Sequence, residues 1–284
     1  MSFLAVHSFK GGTGKTSISV NLAAIMAASG KSACVLDWDF SGPSFRDVFD
    51  FTNKDVNYYL NDFIKGECEP QDALIDVSDE LGTPGKYWIG FSSPEPSEMR
   101  EIARKGRKWQ MRALSKIFNL RKELVSLDVD LTIFDTSPGI HYSSINAIIS
   151  SDIVIIVMKP YKPDFGGTRR MISAIHESLE KQSYLLINKA PVEVVMSPSD
   201  SSSLKSKVES VFEDTTKVEL LGLIPCYCSV AQRFDTIIAL DHEEHPFVSF
   251  LRSYLPKLMN SDDKTPRNFL GNNSPHTKST AGSI

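Results

Sequence analysis

Apolar and polar positions along the chain follow two patterns that alternate with each other. Short apolar, β-branched runs recur at Phe3–Val6, Ala33–Leu36, Leu131–Phe134, Ile153–Val157, Tyr184–Ile187 and Leu220–Ile224, with a weaker seventh at Trp88–Phe91. Several lack the one-in-two alternation of a half-exposed strand, which predicts strands covered on both faces. Helical stretches separate many of them: Thr16–Ser29, Met99–Leu127, Gly167–Lys181 and Leu204–Phe212. In the second of these, Trp109, Ala113, Ile117, Leu120, Leu124 and Leu127 share one face, and Arg104, Arg107, Lys108, Arg121 and Lys122 lie away from it. Strands alternating with helices predict an α/β fold: a doubly wound, mostly parallel sheet with helices on both faces.

The punctuation between elements divides the chain. Ser197-Pro198-Ser199-Asp200-Ser201-Ser202-Ser203 predicts a polar loop before a helix. Phe247–Met259 is apolar at helical spacing, with Pro256 expected to interrupt it. From Asn260 onward Ser, Asn, Thr, Lys, Gly and Pro dominate, so one domain is expected over 1–259 and a polar, disordered tail over 260–284.

Composition removes several classes. Apolar residues make up 41% and charged residues 23% of 284, the balance of a soluble globular chain. No uncharged apolar run reaches the roughly 18 residues that a membrane span needs. The first residues, Met-Ser-Phe-Leu-Ala-Val, carry no basic segment of the kind that opens an export signal, so a cytoplasmic location is expected. Four scattered cysteines do not make a disulfide framework, and Cys226-Tyr227-Cys228 lacks a second pair at zinc spacing, which favours a structural role. Net charge is -4, yet residues 99–124 hold nine Lys or Arg against two Glu. That basic stretch is a solvated outer face or a docking surface for DNA, an acidic protein or anionic lipid, with DNA the leading ligand.

The strongest chemical signal is Lys10-Gly11-Gly12-Thr13-Gly14-Lys15-Thr16-Ser17, placed between the first strand and the first helix. Glycines there let backbone N–H groups turn inward around a phosphate, and the helix N-terminus adds partial positive charge. Lys15 can reach β- and γ-phosphates, and the Thr16 hydroxyl can ligate Mg²⁺. Two strands end in carboxylates at the edge where parallel sheets bind ligands: Leu36-Asp37-Trp38-Asp39 and Phe134-Asp135-Thr136-Ser137-Pro138-Gly139. Strand Tyr184–Ile187 runs into Asn188-Lys189, and the next apolar run ends in Ile224-Pro225.

Lys-Gly-Gly-x-Gly-Lys-Thr, with Phe9 where the ordinary phosphate loop has its first glycine, resembles the deviant phosphate loop of the MinD/ParA ATPases. The resemblance extends over about Met1–Leu258 and includes Asp37-Trp38-Asp39-Phe40-Ser41-Gly42-Pro43-Ser44, similar to the family's first switch segment. It implies a slow ATPase that binds ATP/ADP with Mg²⁺, dimerises on ATP and positions division, chromosome or motility machinery. By the same resemblance Lys10 reaches across the dimer to the partner's ATP and Asp39 orients water. Asp135 and Asp39 hold Mg²⁺ beside Thr16, directly or through water, Gly139 senses the γ-phosphate, and Asn188 and Pro225 flank the adenine. A protein activator or cargo is implied as well. MinD proteins attach to membranes through a basic amphipathic C-terminal helix, which is not evident in this chain's polar tail. The same fold also supports ATP-dependent small-molecule ligases, against which Lys10 argues. It supports ATP-loaded carriers too, against which the lack of C-x-x-C and of a Met-rich insertion argues.

Overall fold

The computed structural model describes residues 1–49, 56–176, 179, 181–213, 218–232 and 236–259. Its strands are β1 (Ser2–His7), β2 (Ala33–Trp38), β3 (Ile75–Asp76), β4 (Tyr87–Gly90), β5 (Leu131–Thr136), β6 (Ile153–Met158), β7 (Gln182–Ala190) and β8 (Val218–Pro225). They form one sheet in the order β3-β4-β2-β5-β1-β6-β7-β8. The pairings are parallel except β3 with β4. Every residue of β1, β2, β5 and β6 is buried, which is why those runs show no alternation. Two-residue β3 was missed because it carries no periodic signal.

The helices in chain order are α1 (Lys15–Ala28), α2 (Phe45–Val48), α3 (Leu60–Lys65), α4 (Ser78–Leu81), α5 (Pro96–Arg104), α6 (Arg107–Ser126), α7 (Tyr142–Ser150) and α8 (Lys162–Met171). Then follow α9 (Val192–Met196), α10 (Pro198–Phe212), α11 (Cys228–Gln232), α12 (Ile238–Asp241) and α13 (Pro246–Met259). Successive residues of one strand feed opposite cores. Leu4 and Val6 join α1, α12 and α13 on one face, while Phe3 packs with α3 and α6 and Ala5 with α8 and α10 on the other.

Four expectations need correction. The helix expected over Met99–Leu127 is two helices, because Lys105 is extended (ψ 126°) and Gly106 caps α6. The polar segment from Ser197 is helical from Pro198. Ser197 Oγ accepts the Asp200 N–H at 3.4 Å, and Pro198 occupies the first turn, where a missing N–H costs nothing. The helix expected over Gly167–Lys181 opens at Lys162 and continues as a π-turn over Ile172–His176. Glycine is required inside it, since a Cβ on Gly167 would come 2.0 Å from the Phe9 ring. Pro256 does not interrupt α13: it lies in the last turn, where a single i−4 bond is lost, and Phe247, Val248, Leu251, Leu255 and Leu258 are buried.

Two further differences concern single residues. Arg121 is not a solvated cation, because its guanidinium pairs with Asp152 at 3.0 Å, donates to the Ser150 carbonyl and lies 3.7 Å over the Phe3 ring. Cys226 and Cys228 are exposed, so they fill no core. The expected tail, 260–284, lies outside the described residues.

Candidate functional site

Chain direction reverses beside β1. After β1 the chain crosses to β2 on one side, and after β5 it crosses β1 to β6 on the other. The carboxyl ends of β1 and β5 therefore meet at a topological switch point, where open parallel sheets bind their ligands. The loop between β1 and α1 fills this position. Gly12 (φ +69°) and Gly14 (φ +94°) turn it in a conformation that L side chains rarely adopt.

Buried polar contacts hold the loop. Lys15 is 8% exposed, and its Nζ donates to Ser8 Oγ at 3.1 Å, while Ser8 Oγ donates to the Lys10 carbonyl at 2.7 Å. Thr16 Oγ1 donates to Asp135 Oδ2 at 2.6 Å and lies 3.4 Å from Ser44 Oγ. Ser19 Oγ donates to Asp135 Oδ1 at 3.3 Å. Gly139 N donates to the Ser8 carbonyl at 2.8 Å, which joins the segment after β5 to the loop.

The carboxylates divide their work. Asp39 Oδ1 accepts from Ser137 Oγ at 2.7 Å and from the Ser41 and Gly42 N–H groups, so the segments after β2 and β5 touch through it. Asp37 is buried and accepts the N–H groups of Ser44 and Phe45, both at 3.1 Å, which makes it an anchor for α2. Burial first, then the Asp135 charge, pushes the Asp37 carboxyl well above its ordinary range. Burial also raises Asp135 to about 6, against the opposing pull of Lys15 and the Thr16 hydroxyl. Desolvation lowers the Lys15 ammonium, and Asp135 and Asp39 partly restore it.

At the far side, Asn188 Nδ2 donates to the Thr13 carbonyl at 2.8 Å. The same Nδ2 stands 2.4 Å from where a Cβ on Gly14 would sit. Lys189, at φ +58°, donates to the Gly12 carbonyl at 3.1 Å. Pro225 ends β8 opposite Ala190, one strand further out. Ser17 lies in the first turn of α1, and its carbonyl accepts from Asn21 Nδ2 at 2.8 Å. Lys10, 43% exposed at its side chain, is held by Asp164 of α8 at 2.8 Å, and the Asp164 side chain is only 6% exposed.

Sequence reasoning named the loop, Asp39, Asp135 and Asn188, and the fold brings them to one edge. It missed Asp164, Ser8, Ser19, Ser137 and Lys189. Asp164 carries a local signal only as an acidic residue in a helix's first turn, which by itself says dipole complement.

The loop suits a nucleotide's phosphates. A Cβ at Gly12 would meet nothing within 4 Å, so the outer side of the loop is open. Thr13 Oγ1 is buried and makes no hydrogen bond among the described residues. A hydroxyl at Thr16 facing a buried carboxylate at Asp135 is an oxygen donor set that Mg²⁺ accepts. Lys15, Thr16 and the loop amides would hold the phosphates, and Thr16 with Asp135 and Asp39 would hold the metal.

A strand, a glycine-rich phosphate loop, a helix and two strand-end carboxylates at the switch point define a P-loop nucleotide-binding protein. Residues 1–187 match the family model described as an AAA domain, and the chain belongs to that family, as a P-loop ATPase of the MinD/ParA type. It is 26% identical over 260 residues to an uncharacterized ATP-binding protein of Methanocaldococcus jannaschii, covering 90% of this chain and 87% of that protein. It is 24% identical over 221 residues to the septum site-determining protein MinD of Bacillus subtilis, covering 78% and 75%. Its fold matches that of MinD complexed with Mg-ADP from Pyrococcus horikoshii, with a TM-score of 0.65, 19% identity and coverage of 93% and 96%.

Proposed function

We propose that this chain is an ATP-operated switch. It binds Mg-ATP, pairs face to face with a second copy, hydrolyses ATP slowly and thereby times its hold on the cellular machinery it positions. The observation that carries this reading is the convergence of Lys15, Thr16–Asp135 and Asp39–Ser137 on one loop.

Each residue has a task in that scheme. Lys15 and the loop amides hold the β- and γ-phosphates. Bound Mg²⁺ supplies charge neutralisation. Asp39, half-buried beside Ser137, orients the attacking water, so catalysis is positioning plus electrostatics. Asn188 and Pro225, at the ends of β7 and β8, flank the base. Lys10 stands at the rim of the site, where it can turn to a partner's phosphates. In the segments after β5 and β6, Ile140, Tyr142 and Tyr161 are 53%, 53% and 54% exposed, apolar surface suited to being covered by a second copy. The similarity to septum site-determining MinD supports spatial positioning as the output.

The test uses Asp39→Ala protein with ATP and Mg²⁺ in light scattering. A long-lived dimer with hydrolysis reduced by at least about tenfold is expected. Adding Lys10→Ala should return the protein to monomer while ATP still binds. Wild-type turnover by Asp39→Ala would remove the proposed water-orienting role.

A further inference from the structure

We propose that the outer face of α6 is a docking seam for an acidic amphipathic helix of a partner protein. This helix buries one face, with Ala113, Ile117, Leu120 and Leu124 at or below 3% exposure. On the opposite side Lys108, Met111, Ser115, Phe118, Lys122 and Val125 follow one another at spacings of three and four residues. That is the spacing of a coiled-coil seam. Its apolar members fall every seventh residue: Met111 is 59% exposed, Phe118 38% and Val125 56%. Three large apolar side chains in register along one ridge are not scattered surface residues.

The seam spans 18 positions, which at 1.5 Å per residue is about 27 Å, or five helical turns. Because α6 precedes β5, its first turn lies at the ligand-binding end of the sheet and its last turn at the opposite end. The seam points away from the sheet, and α6 packs on the sheet face opposite to α1, the helix into which the nucleotide loop leads.

Charge selects the occupant. Arg107, Lys108, Arg112 and Lys122 are exposed along the seam. Among the described residues no ion pair engages any of the four. The one acidic residue of α6, Glu123, is half-buried at the edge of the seam. The acidic turn at Glu67, Glu69 and Asp72 borders that same flank of α6, near Lys116, which lies seven residues before Glu123. A second copy of α6 would set lysines against lysines, which is unfavourable. A DNA backbone would meet the cations but would leave Met111, Phe118 and Val125 against phosphates. A helix with apolar residues at three-four spacing and Glu or Asp beside them satisfies both features at once. One helix laid along one helix covers a small area, so the complex is of the transient class.

The probe is a fluorescein-labelled synthetic helix of about 20 residues, with Leu at the seam positions and Glu at the flanking ones. Fluorescence anisotropy with the full-length protein should show saturable binding in the micromolar range. Phe118→Asp and Met111→Asp should each weaken it by at least about tenfold, and Phe118→Ala by less. The double variant Lys108→Glu/Lys122→Glu should lose the Glu peptide and gain the same peptide rebuilt with Lys. ATP affinity and melting temperature should stay at wild-type values, which separates this seam from the nucleotide site. Absence of saturable binding, or equal binding by the seam variants, overturns the proposal. So does tighter, seam-dependent binding of a duplex DNA or of vesicles containing phosphatidylserine, which reassigns the surface to those ligands.

Discussion

Asp164→Ala should strengthen ATP-dependent pairing. The Lys10–Asp164 contact joins a side chain 43% exposed to one only 6% exposed, at 2.8 Å. Coulomb attraction at that distance is roughly 6 kcal/mol at an effective dielectric constant near 20. Desolvation of the carboxylate and ordering of the lysine offset most of it. A hydrogen bond to a charged group contributes about 1.5–3 kcal/mol net, and the half-exposed lysine points to the lower end. If Lys10 must leave Asp164 to meet a partner's nucleotide, each protomer loses about 1.5 kcal/mol, or about 3 kcal/mol per dimer. Deleting the carboxylate removes that cost, so the dimer dissociation constant should fall by about two orders of magnitude. The fold should tolerate the change. Asp164 Oδ2 is buried without a hydrogen-bond partner among the described residues, and the lysine it releases can be hydrated. Sedimentation equilibrium with ATP, in an Asp39→Ala background to suppress turnover, measures the constant. Asp164→Asn serves as a volume-matched control. A change below about threefold, or weaker pairing in both variants at unchanged melting temperature, would refute the cis-latch reasoning.

Further outcomes follow from other contacts. Lys15→Ala should weaken ATP binding by at least about a hundredfold in calorimetry, because Lys15 is the buried cation of the phosphate loop. Gly14→Ala should lower the melting temperature and nucleotide affinity together, since φ +94° and a Cβ 2.4 Å from Asn188 Nδ2 combine strain with overlap of roughly 1–3 kcal/mol. Arg121→Ala should destabilise the fold by about 1.5–3 kcal/mol in urea unfolding and leave ATP affinity unchanged, because it removes the guanidinium from Asp152 Oδ1 and uncovers Phe3.

The extent to which the sequence foretold the structure tracks the range of the interactions involved. The central strands were legible because burial on both faces writes an unbroken apolar run, as in Ile153–Met158. The phosphate loop was legible because its chemistry is local and ordered along the chain. The break at Gly106 also had a local signal, a glycine inside a helical pattern, which the strong apolar periodicity on either side outweighed. Ser197–Ser203 misled because Ser, Pro and Asp favour loops and also the first turn of a helix. Lys10's partner was illegible: Asp164 meets it only after α8 folds back over Phe9, and no spacing rule reaches that far. Asp37 and Asp39 share one motif, yet hydrogen-bond geometry alone separates a helix anchor from a carboxylate facing Ser137.

Asn21 joins the beginning of the molecule to its end. Its Oδ1 accepts the Ala239 N–H at 2.7 Å across 218 positions, and Leu22, Ile25 and Met26 share a core with Ile238, Phe247 and Leu251. Such contacts have very high sequence separation, and loop-closure entropy makes them slow to form. At translation rates of about 5–20 residues per second, roughly 10–40 s separate the synthesis of the two ends of that hydrogen bond. Throughout that interval the helix behind the phosphate loop lacks the layer that covers it, and its apolar side is open to whatever binds nascent chains. The phosphate loop, made among the first residues, is thus backed only once residues 238–251 have been made.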